Sequence, residues 1–276
     1  MSLQWYPGHM TKARRELAEI MPSQHLVIEV LDARLPASST NPVIGELRGV
    51  RPCIKVLTKS DLADPEATRA WIVHFQLDER VAAIATTPER ASETRKKIAE
   101  LAGKFGLRAK PDRPIKALIA GVPNVGKSTL INQLMDRPVA KTGDKPAITK
   151  VQQRVVLKSG MVVHDSPGLM WPRIIDEAGA FRLAFAGSIP DTAIDYLTIA
   201  MFGARLILER YAALAVARYK LPETPTTPEA LLAEIGRRRG GLRAGGTIDL
   251  HKASEVLVHE FRQGLLGRIT LELPPA

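Results

Sequence analysis

Apolar positions in the first part of the chain fall in short runs, HLVIEVL (25–31), CIKVLT (53–58) and VAAIAT (81–86), each bounded by turn-forming residues. Runs of this length without polar alternation predict strands buried on both faces, the pattern of a parallel sheet. Between them the apolar spacing becomes helical, and residues 91–105 combine such spacing with a basic outer face. A Pro-containing basic connector (107–114) leads to a second group of runs, IKALIAG (115–121), VQQRVVLK (151–158) and MVVHD (161–165). A helix is predicted from Lys127 to about Leu134, and a short basic helix over residues 10–20, after a segment that Pro7 keeps from being helical. Strands alternating with helices imply an open α/β sheet, mostly parallel, with helices on both faces. After Pro172 the strand runs stop and helical segments are predicted near 176–187, 191–218, 228–239 and 251–265. Two domains are therefore expected: residues 1–174, the sheet domain with the basic N-terminal helix, and residues 175–276, a small all-helical domain.

Composition supports this division and narrows the partners. The chain has 276 residues, 45% of them apolar, enough for two compact cores. A single cysteine, Cys53, excludes an intrachain disulfide and a multi-cysteine zinc site, as suits a reducing compartment. The stretch nearest to a membrane span, 193–208, carries Asp195 and Arg205, and Glu16 and Glu19 argue against a transit peptide. A soluble, cytoplasmic protein is expected. The formal charge of +10 points to a polyanion, nucleic acid or an anionic membrane surface. Residues 1–172 hold 26 of the 39 basic residues against 17 of the 29 acidic ones, so nearly all of the surplus lies there.

The candidate chemistry begins at Gly121-Val-Pro-Asn-Val-Gly126-Lys127-Ser128, which fits G-x-x-x-x-G-K-[ST] between an apolar strand and a helix. In such a loop the backbone around Asn124, Val125, Gly126, Lys127, Ser128 and Thr129 surrounds a β-phosphate; Lys127 neutralises β- and γ-oxygens and the Ser128 hydroxyl holds Mg²⁺. An ordinary strand-to-helix turn is the plain alternative. Farther on, Met-Val-Val-His-Asp165 runs into Ser-Pro-Gly168. Asp165 would bind Mg²⁺ through water and Gly168 would bring a backbone N–H to the γ-phosphate, although Asp-x-Pro-Gly is also common turn chemistry. Between them Thr149, in a polar loop, is the candidate second Mg²⁺ ligand and otherwise an exposed loop threonine. Thr58-Lys59-Ser60-Asp61 follows a strand. In an N/T-K-x-D sequence of this kind the carboxylate, here Asp61, pairs with the N1–H and 2-amino donors of guanine, while Lys59 lies along base and ribose. Alone the tetrapeptide also suits a helix cap. Thr86, at the end of the next strand, supplies the companion loop.

GTPases ordinarily present the phosphate loop first and the guanine motif last. Here residues 58–61 and 84–86 precede 121–128, so the chain reads as a circularly permuted GTPase domain whose old termini are joined through 87–115. The loop around Asp165 to Gly168 then feeds directly into the helical domain, and hydrolysis is expected to reorient it.

These motifs, together with Trp5-Tyr-Pro-Gly-His9-Met-x-Lys-Ala-Arg14-Arg15, Asp32-Ala-Arg34, Lys141-Thr-Gly-Asp-Lys-Pro, Gln152-Gln153, Leu169-Met-Trp-Pro172, Gly240-Gly241, Gly245-Gly246 and Phe261-Arg262, resemble the ribosome biogenesis GTPase A family along nearly the whole chain. The resemblance implies a permuted GTPase that assists late assembly of the large ribosomal subunit, with a C-terminal helical domain that contacts RNA. Thr58 stands where the family usually has asparagine, which predicts weaker nucleotide binding; Ala147 replaces a usual glycine, and residues 84–86 lack a Ser-Ala pair.

Many small GTPases orient the attacking water with a glutamine after Asp-x-x-Gly; Leu169 takes that place here and cannot. His9 is the leading candidate for water positioning, with capping or packing of the basic helix as its rival role. Related GTPases with asparagine in the Asn124 position bind K⁺ between α- and γ-phosphates, so K⁺ is a candidate cofactor beside Mg²⁺; a turn asparagine is the alternative. Candidate RNA contacts are Lys12, Arg14, Arg15, Arg95, Lys96, Lys97, Lys104, Arg108, Lys110, Arg113 and the cluster Arg237 to Arg243, each equally a solvated surface charge. The expected function is a GTP-hydrolysing switch, with GTP or GDP, the large-subunit precursor and its rRNA as partners, no membrane, and a monomer off the ribosome. The competing readings are an RNA-binding assembly module with a regulatory, nearly inert guanine nucleotide site, and an ATP-using phosphate-loop enzyme.

Overall fold

The computed structural model describes residues 8–110, 112–135, 154–157, 159–171, 176–241 and 247–275, with the His9 side chain outside that description. Strands β1 (Leu26–Asp32), β2 (Cys53–Thr58), β3 (Val81–Ala85), β4 (Ile115–Ala120), β5 (Arg154–Val156) and β6 (Met161–Asp165) form one sheet in the order β3-β2-β1-β4-β6-β5. All neighbours are parallel except β5 and β6. The central strands β1 and β2 are buried from end to end and mostly apolar, with Glu29 and Lys55 paired between them (2.5 Å). The run at 151–158 contributes only Arg154–Val156 to the described sheet; residues 151–153 and 158 lie outside the described residues. A tight turn at Gly160 joins β5 to β6, so this edge strand must return antiparallel, with Val155 buried between exposed Arg154 and Val156.

Helices α1 (Gly8–Ile20), α2 (Pro42–Arg48), α3 (Pro65–Phe75), α4 (Ala91–Lys104) and α5 (Lys127–Met135) flank the sheet. Asn41 and Asp64 start α2 and α3 by accepting the first free N–H groups. The helical part consists of α6 (Glu177–Phe185), α7 (Tyr196–Tyr219), α8 (Pro228–Arg238) and α9 (Leu250–Arg262), with α7 packed on the other three. Helix α7 begins five residues later than its apolar spacing predicts, because Asp195 caps it through Thr198 N–H (2.9 Å) after a short turn at Asp191–Ala193. Helix α9 stops at Arg262 rather than 265, ahead of Gly264 at φ +75°.

Beyond Gly264 the chain does not trail away. Ile269 N–H donates to the Leu62 carbonyl (3.0 Å), Leu271 N–H to the Arg34 carbonyl (2.6 Å), and the Trp71 indole to the Glu272 carbonyl (3.0 Å). Glu272 accepts from the Ser38 N–H and hydroxyl (2.8 and 2.6 Å), while Asp64 N–H donates to the Thr270 hydroxyl (3.0 Å). The last residues thus strap the helices to the loops at the strand ends. One apolar core runs from the sheet into the helices through Leu169, Leu183, Phe185 and Phe261, the two phenylalanines stacking at 4.4 Å. Each such fully buried side chain stabilises by about 1.5–3 kcal/mol. Among the described residues no helix is long and apolar enough to cross a membrane.

Candidate functional site

The ends of β1, β2, β4 and β6 converge on one loop, residues 121–126. Gly121 lies against β1 so tightly that a Cβ there would come within 2.6 Å of the Val30 carbonyl oxygen, which excludes any side chain. Helix α5 opens at Lys127, with Ser128 and Thr129 half-buried in its first turn. Strand β6 delivers Asp165, whose Oδ1 accepts a 2.6 Å hydrogen bond from Lys127 Nζ; both side chains are buried. Burial raises the Asp165 carboxyl above its ordinary value although Lys127 pulls the other way. Its second oxygen, Oδ2, is buried with no hydrogen-bond partner among the described residues. A buried acceptor without a donor costs free energy, so this site is built to receive one.

Strand β2 ends at Thr58, and its hydroxyl lies against the carbonyls of Val125 and Leu31 (2.9 Å to the latter). The threonine hydroxyl thus braces the end of β2 against the phosphate loop. Lys59 and Asn124 are both held at positive φ, +55° and +60°, an uncommon state for residues with a Cβ. They are joined: Lys59 Nζ donates to the Asn124 carbonyl (2.7 Å) and to Asp32 Oδ2 (2.8 Å). Burial alone would raise the Asp32 carboxyl, but Arg34 and Lys59 hold it well below the usual range. Ser60 N–H and hydroxyl both donate to the Thr86 carbonyl (3.4 and 3.1 Å), whereas the Thr86 hydroxyl is buried against Thr94. Thr86 thus shapes the loop through its backbone. Asp61 is exposed.

Gly168 closes over the phosphate loop, where a Cβ would lie 3.1 Å from Pro123 Cα. Leu169 is buried, its N–H donating to the Gly121 carbonyl (3.1 Å) and its carbonyl accepting from Asn41 Nδ2 (2.7 Å). Asn124 Nδ2 donates to the Gly187 carbonyl in the turn after α6 (2.8 Å). Thus Thr58, Lys59, Asn124, Val125, Gly126, Lys127, Asp165 and Gly168 are brought together; Thr149 and the His9 side chain lie outside the described residues, as do residues 1–7, Gln152, Gln153 and Arg243. The roles of Asn41, Arg34 and the tail at Ile269–Glu272 escaped sequence reasoning. The one signal was Asp32-Ala-Arg34, a charged pair directly at the end of an apolar strand.

The buried, pinned Leu169 leads to a direct expectation. Leu169→Gln is expected not to raise nucleotide turnover, and to lower stability by about 2 kcal/mol because the amide enters an apolar site. Paired turnover assays and thermal melts check both parts; a gain in turnover would show that this side chain can reach solvent and the phosphates.

Among the candidate RNA contacts, Arg95 donates to the Gln133 carbonyl (2.6 Å), so it ties α4 to α5. Arg237 and Arg238 pair with Glu234 of their own helix, and Arg239 approaches Glu260 (3.5 Å). Lys96, Lys97, Lys104, Arg108, Lys110 and Arg113 are exposed. No group of three or more metal-ligating His, Cys, Asp or Glu occurs among the described residues.

The family described as 50S ribosome-binding GTPase matches residues 116–198. Ribosome biogenesis GTPase A of Bacillus pumilus is 42% identical over 282 residues, covering 99% of each chain, and that of Bacillus licheniformis is 39% identical over 280 residues with the same coverage. The solved structure of GDP-bound YlqF from Thermotoga maritima superposes with a TM-score of 0.67 at 27% identity, over 94% of this chain and 99% of that one.

Proposed function

Because the chain belongs to the ribosome biogenesis GTPase A family and is a GTPase, we propose that it is a nucleotide-driven switch that assists late assembly of the large ribosomal subunit, binds rRNA and is stimulated by the particle. The observation that carries this reading is the meeting of Lys59 with the Asn124 carbonyl (2.7 Å), which joins a base-selecting loop and a phosphate loop that stand in permuted order along the chain. The described geometry supports the following roles. Asp61 selects guanine, Lys59 and Thr58 brace the base loop, and the backbone from Asn124 to Thr129 cradles the phosphates with Lys127 against their charge.

The unpartnered Asp165 Oδ2 fits the hydrated side of a Mg²⁺ ion, with Ser128 and Thr149 as direct ligands. Bound Mg²⁺ would supply positive charge against the β- and γ-phosphate oxygens. Asn124 is proposed to hold K⁺ beside the phosphates, and His9 to position water, since Leu169 is turned into the core. Residues 1–174 and 175–276 are proposed as a switch domain and an RNA-contacting helical domain. The exposed lysines and arginines of α4 and the 107–114 connector, with the N-terminal basic helix, are the proposed phosphate-contacting surface. A monomer acting in the cytoplasm completes the reading.

The test is GTP turnover with and without large-subunit precursor particles, alongside co-sedimentation in GDP and in a non-hydrolysable GTP analogue. Particles are expected to raise turnover by an order of magnitude or more, and binding is expected to depend on the nucleotide. Full turnover by the protein alone, or binding indifferent to nucleotide, would refute the switch.

A further inference from the structure

A closed ring of polar contacts begins and ends at Asn124. Its carbonyl accepts from Lys59 Nζ (2.7 Å), and the same ammonium donates to Asp32 Oδ2 (2.8 Å). Asp32 also accepts from Arg34 Nε (2.9 Å) and Nη2 (2.7 Å). Arg34 Nη1 reaches across to the end of α9 and donates to the carbonyls of Phe261 (3.3 Å) and Arg262 (3.4 Å), its guanidinium lying 4.8 Å above the Phe261 ring. The Arg262 side chain carries the ring onward to the end of α6: Nε donates to the Phe185 carbonyl (3.1 Å), Nη2 to the Ala184 carbonyl (2.9 Å), and Nη1 to Asp191 (2.8 Å). Two residues past Phe185 the Gly187 carbonyl accepts from Asn124 Nδ2 (2.8 Å), and the ring closes.

Each link has a chemical reason. The Ala184 and Phe261 carbonyls also accept from Gly187 and Gly264 N–H (3.1 and 3.0 Å), but for the final carbonyls of Phe185 and Arg262 the arginines supply donors, Arg262 with its planar fork over α6 in a geometry a lysine cannot reproduce. Gly187 sits at φ +86°, and a Cβ there would lie 3.2 Å from Arg262 Nε, so the arginine packs directly over the turn. A carbonyl only accepts, so Gly187 dictates that Asn124 presents its nitrogen to the helices and thereby sets the orientation of the amide.

We propose that Arg262 is a positioning residue for GTP hydrolysis: it fixes the turn at Gly187, the Gly187 carbonyl fixes the Asn124 amide, and a shift of the helices thus reaches the Asn124 side chain through this contact. The inference rests on the reading of Asn124 as a K⁺ ligand beside the phosphates.

The experiment is a double-mutant cycle on the full chain. Single-turnover hydrolysis is measured in KCl and in NaCl for wild type, Arg262→Ala, Arg262→Lys, Asn124→Ala and the double variant Arg262→Ala/Asn124→Ala, with thermal melts and GDP affinity as controls of folding. Arg262→Ala and Asn124→Ala are each expected to slow hydrolysis in KCl by about tenfold, the double variant no further, because both remove the same placement. The K⁺ advantage over Na⁺ is expected to fall in both, and Arg262→Lys, which keeps charge without the fork, is expected to resemble alanine. Should Arg262→Ala not fold, Gly187→Ala pushes the guanidinium off the turn while retaining it, and stands in its place. Losses that multiply in the double variant, with Asn124→Ala impaired, overturn the role of Arg262 alone. An Asn124→Ala protein with wild-type rate and K⁺ response overturns the cation reading and the inference with it.

Discussion

Replacing Lys127 by alanine is expected to lower GTP turnover by roughly 10³-fold, the loss that follows removal of a preorganised charge from the developing phosphate charge. A second effect comes from the folded state itself. Lys127 is the cation that Asp165 touches, at 2.6 Å, and the other Asp165 oxygen is buried with no partner among the described residues. Burial raises this carboxyl above its ordinary 3.8 even with Lys127 in place, and deleting the ammonium removes the main influence opposing it, leaving only the Ser166 backbone N–H. A carboxyl whose folded value lies above its unfolded one stabilises the protein while protonated and loses that contribution as pH rises through the folded value. Urea unfolding of Lys127→Ala is therefore expected to show a deficit against wild type that grows as pH rises above the ordinary carboxylate range. Adding Asp165→Asn should remove that slope. A pH-independent deficit would mean that Asp165 is not the group responsible.

What the sequence disclosed and what it hid divide along physical lines. The strands β1, β2, β3, β4 and β6 were legible because a strand buried on both faces needs a mostly apolar run. The phosphate loop was legible because its function demands fixed residue types within eight positions, Gly121 to Ser128. Likewise Thr58 to Asp61 and Asp165 stood at strand ends, where periodicity stops. By contrast Asn41 holding the Leu169 carbonyl, Glu272 holding Ser38, and Arg34 holding Phe261 and Arg262 are contacts between distant segments that no local spacing encodes. Even the resemblance that included Asp32-Ala-Arg34 and Phe261-Arg262 carried no hint that the two motifs bind each other. Thr58 marks the opposite case. Its departure from asparagine was plain, yet the hydroxyl against the Val125 carbonyl appears only once two strands stand side by side. The start of α7 moved because a cap, Asp195, outweighed the apolar spacing upstream of it.

Arg34→Met is expected to destabilise the protein by about 3 kcal/mol, the scale set by breaking a buried ion pair from one side. The methionine fills much of the same volume, so little of the loss is cavity. What it removes is the fork on Asp32, the pair of bonds to the α9 carbonyls and the stacking on Phe261. Lys59 stays beside Asp32 at 2.8 Å, which keeps the loss below that of a fully abandoned charge. In thermal melts this corresponds to a drop of roughly 6–12 °C for a chain of this size. The pH dependence should have the same sign as that of Lys127→Ala but set in at lower pH, because Asp32 is depressed where Asp165 is raised. Burial pushes the Asp32 carboxyl up, yet Arg34 and Lys59 together hold it well below its ordinary 3.8. A carboxyl depressed in the folded state contributes stability that is present above its unfolded value and lost as pH falls through the folded one. The gap between wild type and Arg34→Met should therefore be full at neutral pH and close under acid conditions, below about pH 4. Asp32→Asn in the variant should recover part of the loss, since it withdraws the charge that Arg34 no longer meets. If Arg34→Met melts with wild type at neutral pH, the guanidinium does not hold α9 to the strand ends, and the polar ring through Asn124 has no mechanical basis.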